Sequence, residues 1–364
     1  MRLNCLIFLV SVLLTTGTLW AAEGTGLSGS LNLEGGGLQP PGNAVQSYSY
    51  YRLFLRQQGD IDQGFSYDLA GEADWQTFTP AAPIAWPLYP KANYLRLETD
   101  NLATNGNNDY YGLGMDRASL RWTSGPLDVT AGLFKPQWGS ALFYRPTDYF
   151  FPLAPLQWEG SEPLASEGLD ASLFLFDDLS LEGAARVLEG SATEGVVRLI
   201  NKMIGLTVTP SAAWMTGRNA FGLEIMGSLP DMQVRLEGTD WLYADQHTAA
   251  DWNIGFSTTH EGVQYSAEIL RDETGDILGA YSDTGSQGTY VFLSAKGDFF
   301  TQWKATPALV VPVEGGPFLF WPKISWDFAP QWELGFQGQM LLGNWKGPLD
   351  LYPGRIAGSL SYSL

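Results

Sequence analysis

Apolar and polar residues alternate with period two along most of this chain, the rhythm of a β-strand that shows one face to each of two environments. Near the start, Leu27, Leu31 and Leu33 alternate with Ser28, Ser30, Asn32 and Glu34. A longer run sets Phe65, Tyr67, Leu69, Ala73 and Trp75 against Ser66, Asp68, Glu72, Asp74 and Gln76. The pattern returns in Leu169-Ala171-Leu173-Leu175, Phe221-Leu223-Ile225, Met232-Val234-Leu236, Trp252-Ile254-Phe256 and Val263-Tyr265-Ala267-Ile269. It recurs once more in Trp332-Leu334-Phe336-Met340-Leu342, and the last segment alternates Ile356, Leu360, Tyr362 and Leu364 with Arg355 and serines.

Connections between these segments fall into two kinds. Tight turns are expected at 59–62, 124–126, 177–178, 229–231, 260–262, 297–298 and 329–330. Longer stretches rich in Gly, Pro, Asn and Asp lie at 35–44, 136–166, 240–250, 272–286, 310–316 and 343–353. Short connections at one end and long ones at the other predict an all-β fold, a transmembrane antiparallel up-and-down β-barrel of about 16 to 18 strands, with the short turns periplasmic and the long loops extracellular. A soluble β-sandwich has no reason to keep that parity. Residues 91–99 read as a strand that breaks the even count and is expected to form a hairpin within a loop; residues 195–209 read as one strand or two.

Met1-Arg2, the apolar run from Leu6 to Leu14 and the small pair Ala21-Ala22 have the layout of a cleaved signal peptide over residues 1–21, leaving the barrel to 22–364. Removing that segment takes Arg2 and the only Cys, Cys5, and leaves 19 basic residues against 39 acidic ones, a net charge of −20 where the whole chain has −19. No disulfide is then available, and so acidic a chain is a poor nucleic-acid partner. Aromatic residues make up 13% of the chain. Several tryptophans (Trp75, Trp122, Trp241, Trp252, Trp303, Trp326 and Trp332) fall near expected strand ends, where a ring settles among lipid headgroups.

Candidate chemistry lies on the face expected to point inward. Arg52, Arg56, Arg117, Arg121, Arg186 and Arg235 come from several strands, with Asp68, Glu72, Asp74, Glu182 and Glu237 at neighbouring positions. A water-filled lumen tolerates such charges, whereas one at the bilayer midplane costs about 2 to 4 kcal/mol. Opposed acidic and basic walls sort solutes by charge. Self-pairing inside a plugged lumen is the competing reading of the same residues. Catalysis is not expected: His247, beside Asp245 in a loop, and His260, in a turn, are the only histidines, and the run Arg271 to Asp276 lacks the spacing of a calcium loop, so no cofactor or metal is expected either.

The most distinctive stretch is Gly132-Leu-Phe-Lys-Pro-Gln-Trp-Gly139, continuing to Arg145-Pro146-Thr-Asp148 and on through Pro152 to Pro155. It resembles a segment of bacterial outer-membrane porin-like β-barrel families, in which a strand ends in a basic residue and Trp-Gly and leads into a Pro-x-Asp loop. Lys135, Trp138, Gly139, Pro146, Asp148 and Pro152 carry the likeness. Its prolines and aromatics make the 136–166 loop stiff enough to fold back and constrict a lumen, with Arg145 inside it. The last strand also resembles those by which such barrels are recognised for assembly, although it ends on Leu364 rather than an aromatic. The expectation is a channel for small hydrophilic solutes or ions. The alternative is a plugged barrel that binds, adheres or scaffolds within an envelope complex. Expected partners are outer-membrane lipid, the barrel-assembly machinery, small solutes and further copies of the chain in a homo-oligomer.

Overall fold

The computed structural model of the chain describes residues 26–39, 46–79, 97–99, 108–135, 138–150, 166–187, 193–274, 287–315, 318–342 and 354–363. The proposed signal peptide lies outside them. The chain runs through β1 (Gly26–Gln39), β2 (Gln46–Asp62), β3 (Phe65–Thr79), β4 (Leu97–Thr99), β5 (Asn108–Ser124), β6 (Leu127–Phe134) and β7 (Ser166–Phe176). It continues through β8 (Leu179–Val187), β9 (Thr193–Met203), β10 (Leu206–Met215), β11 (Arg218–Leu229), β12 (Met232–Tyr243), β13 (Thr248–His260) and β14 (Val263–Asp272). The last part holds β15 (Gly288–Phe300), β16 (Trp303–Ala305), β17 (Ala308–Pro312), β18 (Phe318–Trp321), β19 (Lys323–Ala329), β20 (Trp332–Leu342) and β21 (Gly354–Ser363).

Neighbours along the wall pair antiparallel, and β21 returns to β1, from Ser30 opposite Ser363 to Gln39 opposite Gly354, which removes both sheet edges. Segments β16 and β17 share one position in the wall and β18 and β19 another, while β4 prolongs the line of β6 beside β5, so the closed barrel has 18 strands. Of the stretch 91–99, only Leu97–Thr99 is described, as that short strand. Residues 195–209 belong to two strands, because Ile204-Gly205 make a turn with Gly205 at φ 72°.

At one end each described turn is two residues long, as at 63–64, 125–126, 230–231 and 330–331. Several expected connections need correcting: β1 runs on through 35–39, and β2 runs through 59–62 so that the chain turns at 63–64. Gly297-Asp298 is not a turn: β15 carries on to Phe300 through a register shift, and the chain reverses at 301–302. Nor is 240–250 a long loop: β12 and β13 extend through it, leaving only 244–247, because Trp241 and Asp251 face inward and bond to each other at 3.0 Å.

Burial along the strands is inverted relative to a soluble sheet. In β13, Asp251, Asn253 and Ser257 are buried while Trp252, Ile254 and Phe256 are exposed. An apolar exterior around a polar interior suits lipid outside and water within. Exposed aromatics line the short-turn end: Phe65 stacks on Trp122, Trp303 on Trp326, and Trp332 leans on Tyr362. A second row includes Tyr51 stacked on Trp75, ten residues along β3 from Phe65. At ~3.3 Å per residue and a usual strand tilt of ~40°, the rows stand about 25 Å apart, the height of a lipid-facing band. Trp241 does not belong to either row, being 4% exposed and turned into the lumen.

Candidate functional site

The first part of the lumen wall carries paired charges. Alternation on β2 places Arg52 and Arg56 on its inner face, across from β3. Arg52 binds Glu72 through Nε at 2.9 Å and Nη2 at 2.7 Å. Arg56 grips Asp68 with two bonds of 2.7 Å each, the bidentate geometry a guanidinium favours. On β5, Arg117 lies 3.6 Å from Asp68 and 3.5 Å from Asp116, Lys135 pairs with the same Asp116, and Arg121 pairs with Asp128 on β6. Asp74 is buried opposite Arg52. Farther round, Arg186 holds Glu194 at 2.6 Å, donates to the Phe150 carbonyl at 3.0 Å and covers that residue's ring. Arg198 lies 3.3 Å from Glu182 and 3.9 Å from Glu224, beneath Trp138.

Of these, Arg56, Asp68, Arg117, Arg121, Glu182 and Arg198 line a cavity of about 980 Å³. Gly26, Gln58 and Asp60 line it at the short-turn end, and Phe134, Lys135 and Trp138 line it where the chain leaves β6.

Beyond Lys135 the chain departs from the wall, and residues 138–150 pack against the inner face of strands much later in the sequence. Two wholly buried carboxylates hold them, Glu237 on β12 and Glu268 on β14. Glu237 accepts the peptide N–H groups of Ser140 and Ala141, the Ser140 hydroxyl at 3.2 Å and the Thr147 hydroxyl at 3.0 Å. Glu268 accepts the next two N–H groups, of Leu142 at 2.6 Å and Phe143 at 2.9 Å. Four consecutive amides that no sheet partner satisfies thus find acceptors. Asn253 donates to both Glu268 and the Tyr144 carbonyl, and Thr239 donates to the Pro146 carbonyl at 2.8 Å. Arg235 lies beneath, donating to Ser257 at 2.7 Å with its other nitrogen 4.0 Å from Glu268.

Aromatic packing completes the docking. Phe143 stacks on Phe292 at 4.5 Å within a cluster that includes Tyr144, Leu270, Tyr290 and Leu319. Trp138, Tyr149 and Phe150 join a second cluster with Val196, Ala213 and Trp241. Burial holds the Tyr149 phenol above its ordinary range, so it stays neutral as a partner for Ser211 at 2.6 Å. Within the loop, Arg145 Nε donates to the Ala141 carbonyl at 2.8 Å, and the Asp148 amide closes a turn over Pro146 by donating to the Arg145 carbonyl at 3.1 Å.

Gly139 makes the entry into this docked segment. Its φ is +85°, and a Cβ there would stand 2.7 Å from Glu237 Oε2 and 3.0 Å from Arg145 Cβ. Gly139→Val is expected to speed hydrogen exchange at the amides of residues 140–143 by about tenfold or more, since left-handed backbone alone costs a non-glycine about 1–2 kcal/mol. Gly125→Val, at φ +54° with open space around it, supplies the backbone penalty without the clash and should leave those amides protected.

Of the named wall residues, Arg56, Asp68, Arg117 and Arg121 line the cavity, Glu237 and Arg235 lie at the docked segment, and Arg52, Glu72, Asp74 and Arg186 lie outside the cavity lining; Lys135, Trp138, Gly139, Arg145, Pro146 and Asp148 sit at or inside the docked segment, and residues 136–137 and 151–165 lie outside the described residues. Sequence reasoning missed Glu268, Asn253, Asp251 and Arg198. The two histidines stand before the start of β13 and at its end, about 40 Å apart at ~3.3 Å per residue, too far to share a site. His247 contacts Asp245, stacks on Tyr243, and by that bond holds the Asp245 carboxyl below its usual range.

No family model matches the chain, and no curated protein is similar to it in sequence. Solved structures are similar in shape. The barrel of Pseudomonas aeruginosa OccK7 (OpdD) superposes with a TM-score of 0.60 at 11% identity, covering 95% of this chain and 99% of that one. OccK2 (OpdF) of the same organism, solved in complex with glucuronate, gives 0.60 at 10% identity over 93% of this chain and 98% of that one. OpdK, solved with vanillate, gives 0.56 at 10% identity over the same shares, 93% and 98%. At such identities the likeness is one of architecture: the chain is a closed antiparallel barrel of the fold that these Pseudomonas outer-membrane porins share.

Proposed function

We propose that the chain is a channel of the bacterial outer membrane through which small hydrophilic solutes pass, with the docked segment 138–150 as its constriction. The observation that carries this reading is the cavity of about 980 Å³, walled by ion-paired side chains and bounded by Lys135 and Trp138 of the loop. Charges of this kind suit a water-filled path and oppose both lipid contact and a dry core. Arginine and carboxylate pairs along the wall would set the selectivity, and the stiff loop would set the width. Two of the barrels similar in shape hold glucuronate and vanillate, small polar solutes of a size that such a path admits. Lipid is the partner of the exposed apolar band, and the assembly machinery that of the nascent barrel.

Single-channel recording of the refolded protein in a planar bilayer tests this directly. Discrete, ohmic conductance steps are expected. A correctly folded, heat-modifiable barrel that never conducts would mean that the loop seals the lumen, and the plugged, partner-binding barrel would take its place.

A further inference from the structure

Five cationic and four acidic side chains line the cavity, and the two kinds differ in how they are paired. Its five cationic side chains, Arg56, Arg117, Arg121, Lys135 and Arg198, are each within ion-pair distance of a carboxylate. The partners are also five: Asp68, Asp116, Asp128, Glu182 and Glu224. Two further carboxylates, Asp60 and Asp170, line the cavity and make no ion pair among the described residues. An arginine already gripped by a carboxylate offers little to a passing anion, because the anion must displace an ion whose bonds are already formed. Asp60 is exposed and makes no ion pair among the described residues, so no bound cation offsets its field.

We infer that the channel prefers cations and carries small organic cations in preference to carboxylates such as those held by the barrels of similar shape. The inference rests on the channel reading above and deepens it. A cavity of about 980 Å³ is equivalent to a sphere of about 6 Å radius, within the Debye length of about 8 Å at physiological salt, so a solute anywhere inside it feels the wall charges unscreened. Low-dielectric walls concentrate that field along the path.

The test is the reversal potential of the refolded full-length barrel in a potassium chloride gradient at neutral pH, repeated with choline replacing potassium and with glucuronate replacing chloride. A potassium over chloride permeability ratio of about 3 or more is expected, since a focused field raises the local concentration of the favoured ion. Choline should keep carrying current, and glucuronate should carry less than chloride. Asp60→Asn with Asp170→Asn should bring the ratio to about one, and Asp68→Asn, which removes a carboxylate shared by Arg56 and Arg117, should move it further toward anions. A wild-type ratio below one, or glucuronate conducting as well as choline, would overturn the cation preference while leaving the channel intact. A bilayer in which the folded barrel stays silent would instead overturn the channel reading itself. Since the wild-type measurement decides the matter, misfolding of a variant does not leave it open.

Discussion

Replacing Glu237 and Glu268 together with alanine is expected to raise single-channel conductance by roughly twofold and to make the open level noisy, because the width of a pore at a docked loop depends on the docking. The reasoning starts from the four consecutive amides of residues 140–143, which these carboxylates divide between them. A hydrogen bond to a charged group contributes about 1.5–3 kcal/mol, and a buried donor left without an acceptor costs a comparable amount. Alanine at both positions leaves all four amides without their carboxylate acceptors, and the loop recovers acceptors most readily by moving into water. The single variants should fall between wild type and double variant, with Glu237→Ala the stronger, since it also releases the hydroxyls of Ser140 and Thr147. Quiet traces at wild-type conductance in the double variant would show that the aromatic clusters around Phe143 and Trp138 hold the loop alone.

Gly36→Ala should prevent most of the chain from reaching its folded, heat-modifiable form. A Cβ at that position would stand 2.1 Å from the Ile356 carbonyl oxygen and 2.9 Å from the Ala357 Cα, both backbone atoms of the strand that closes the barrel. Backbone of a paired strand cannot swing aside as a side chain does, so relief requires β1 and β21 to separate around Gly36, which pairs with Ala357. The cost is expected at the upper end for a single substitution, about 3 kcal/mol or more. Gly35→Ala, whose Cβ would meet nothing closer than the Tyr48 carbonyl at 3.7 Å, is the control and should fold nearly as wild type. Urea-dependent refolding into detergent, read by the gel shift between folded and unfolded forms, distinguishes them; equal midpoints would show that the seam gives way more easily than its geometry implies.

Much of this architecture was written in the alternation. One residue of slip reverses the faces of a whole strand, so runs such as 65–76 could be oriented with no knowledge of their neighbours, and Arg56 and its diagonal neighbour Asp68 could be expected on the same side. Turn positions were less legible. Gly297-Asp298 reads as a turn because both residues favour one, yet a strand absorbs them as an irregularity; Asp240 to Ala250 reads as a loop because its polar residues are those of a lumen wall. The carboxylate anchors were missed for a related reason. On β14 the eye follows Val263, Tyr265, Ala267 and Ile269, while Glu268 sits on the opposite face. The signal was its company: Glu268 has Gly255 and Phe292 as register partners, and Glu237 has Glu224 and Asn253. Glu237 has no cation in ion-pair distance among the described residues and Glu268 has only Arg235 at 4.0 Å, so both buried carboxylates draw donors from elsewhere. The bare amides of a proline-bounded loop are such donors, although no pattern in sequence says which loop.

The docking of residues 138–150 also fixes an order of events during biogenesis. Ser140 meets its anchor 97 residues later in the chain, and Leu142 meets its own 126 residues later. A partly assembled wall that stops short of β12 therefore carries this segment with its amides bound only to water, and the aperture takes its final width only after β14 has joined. The long-range pairing of β1 with β21 comes later still, as it requires the end of the chain. A chain truncated after β14 still carries both carboxylate anchors, so it can seat this segment without ever closing around it.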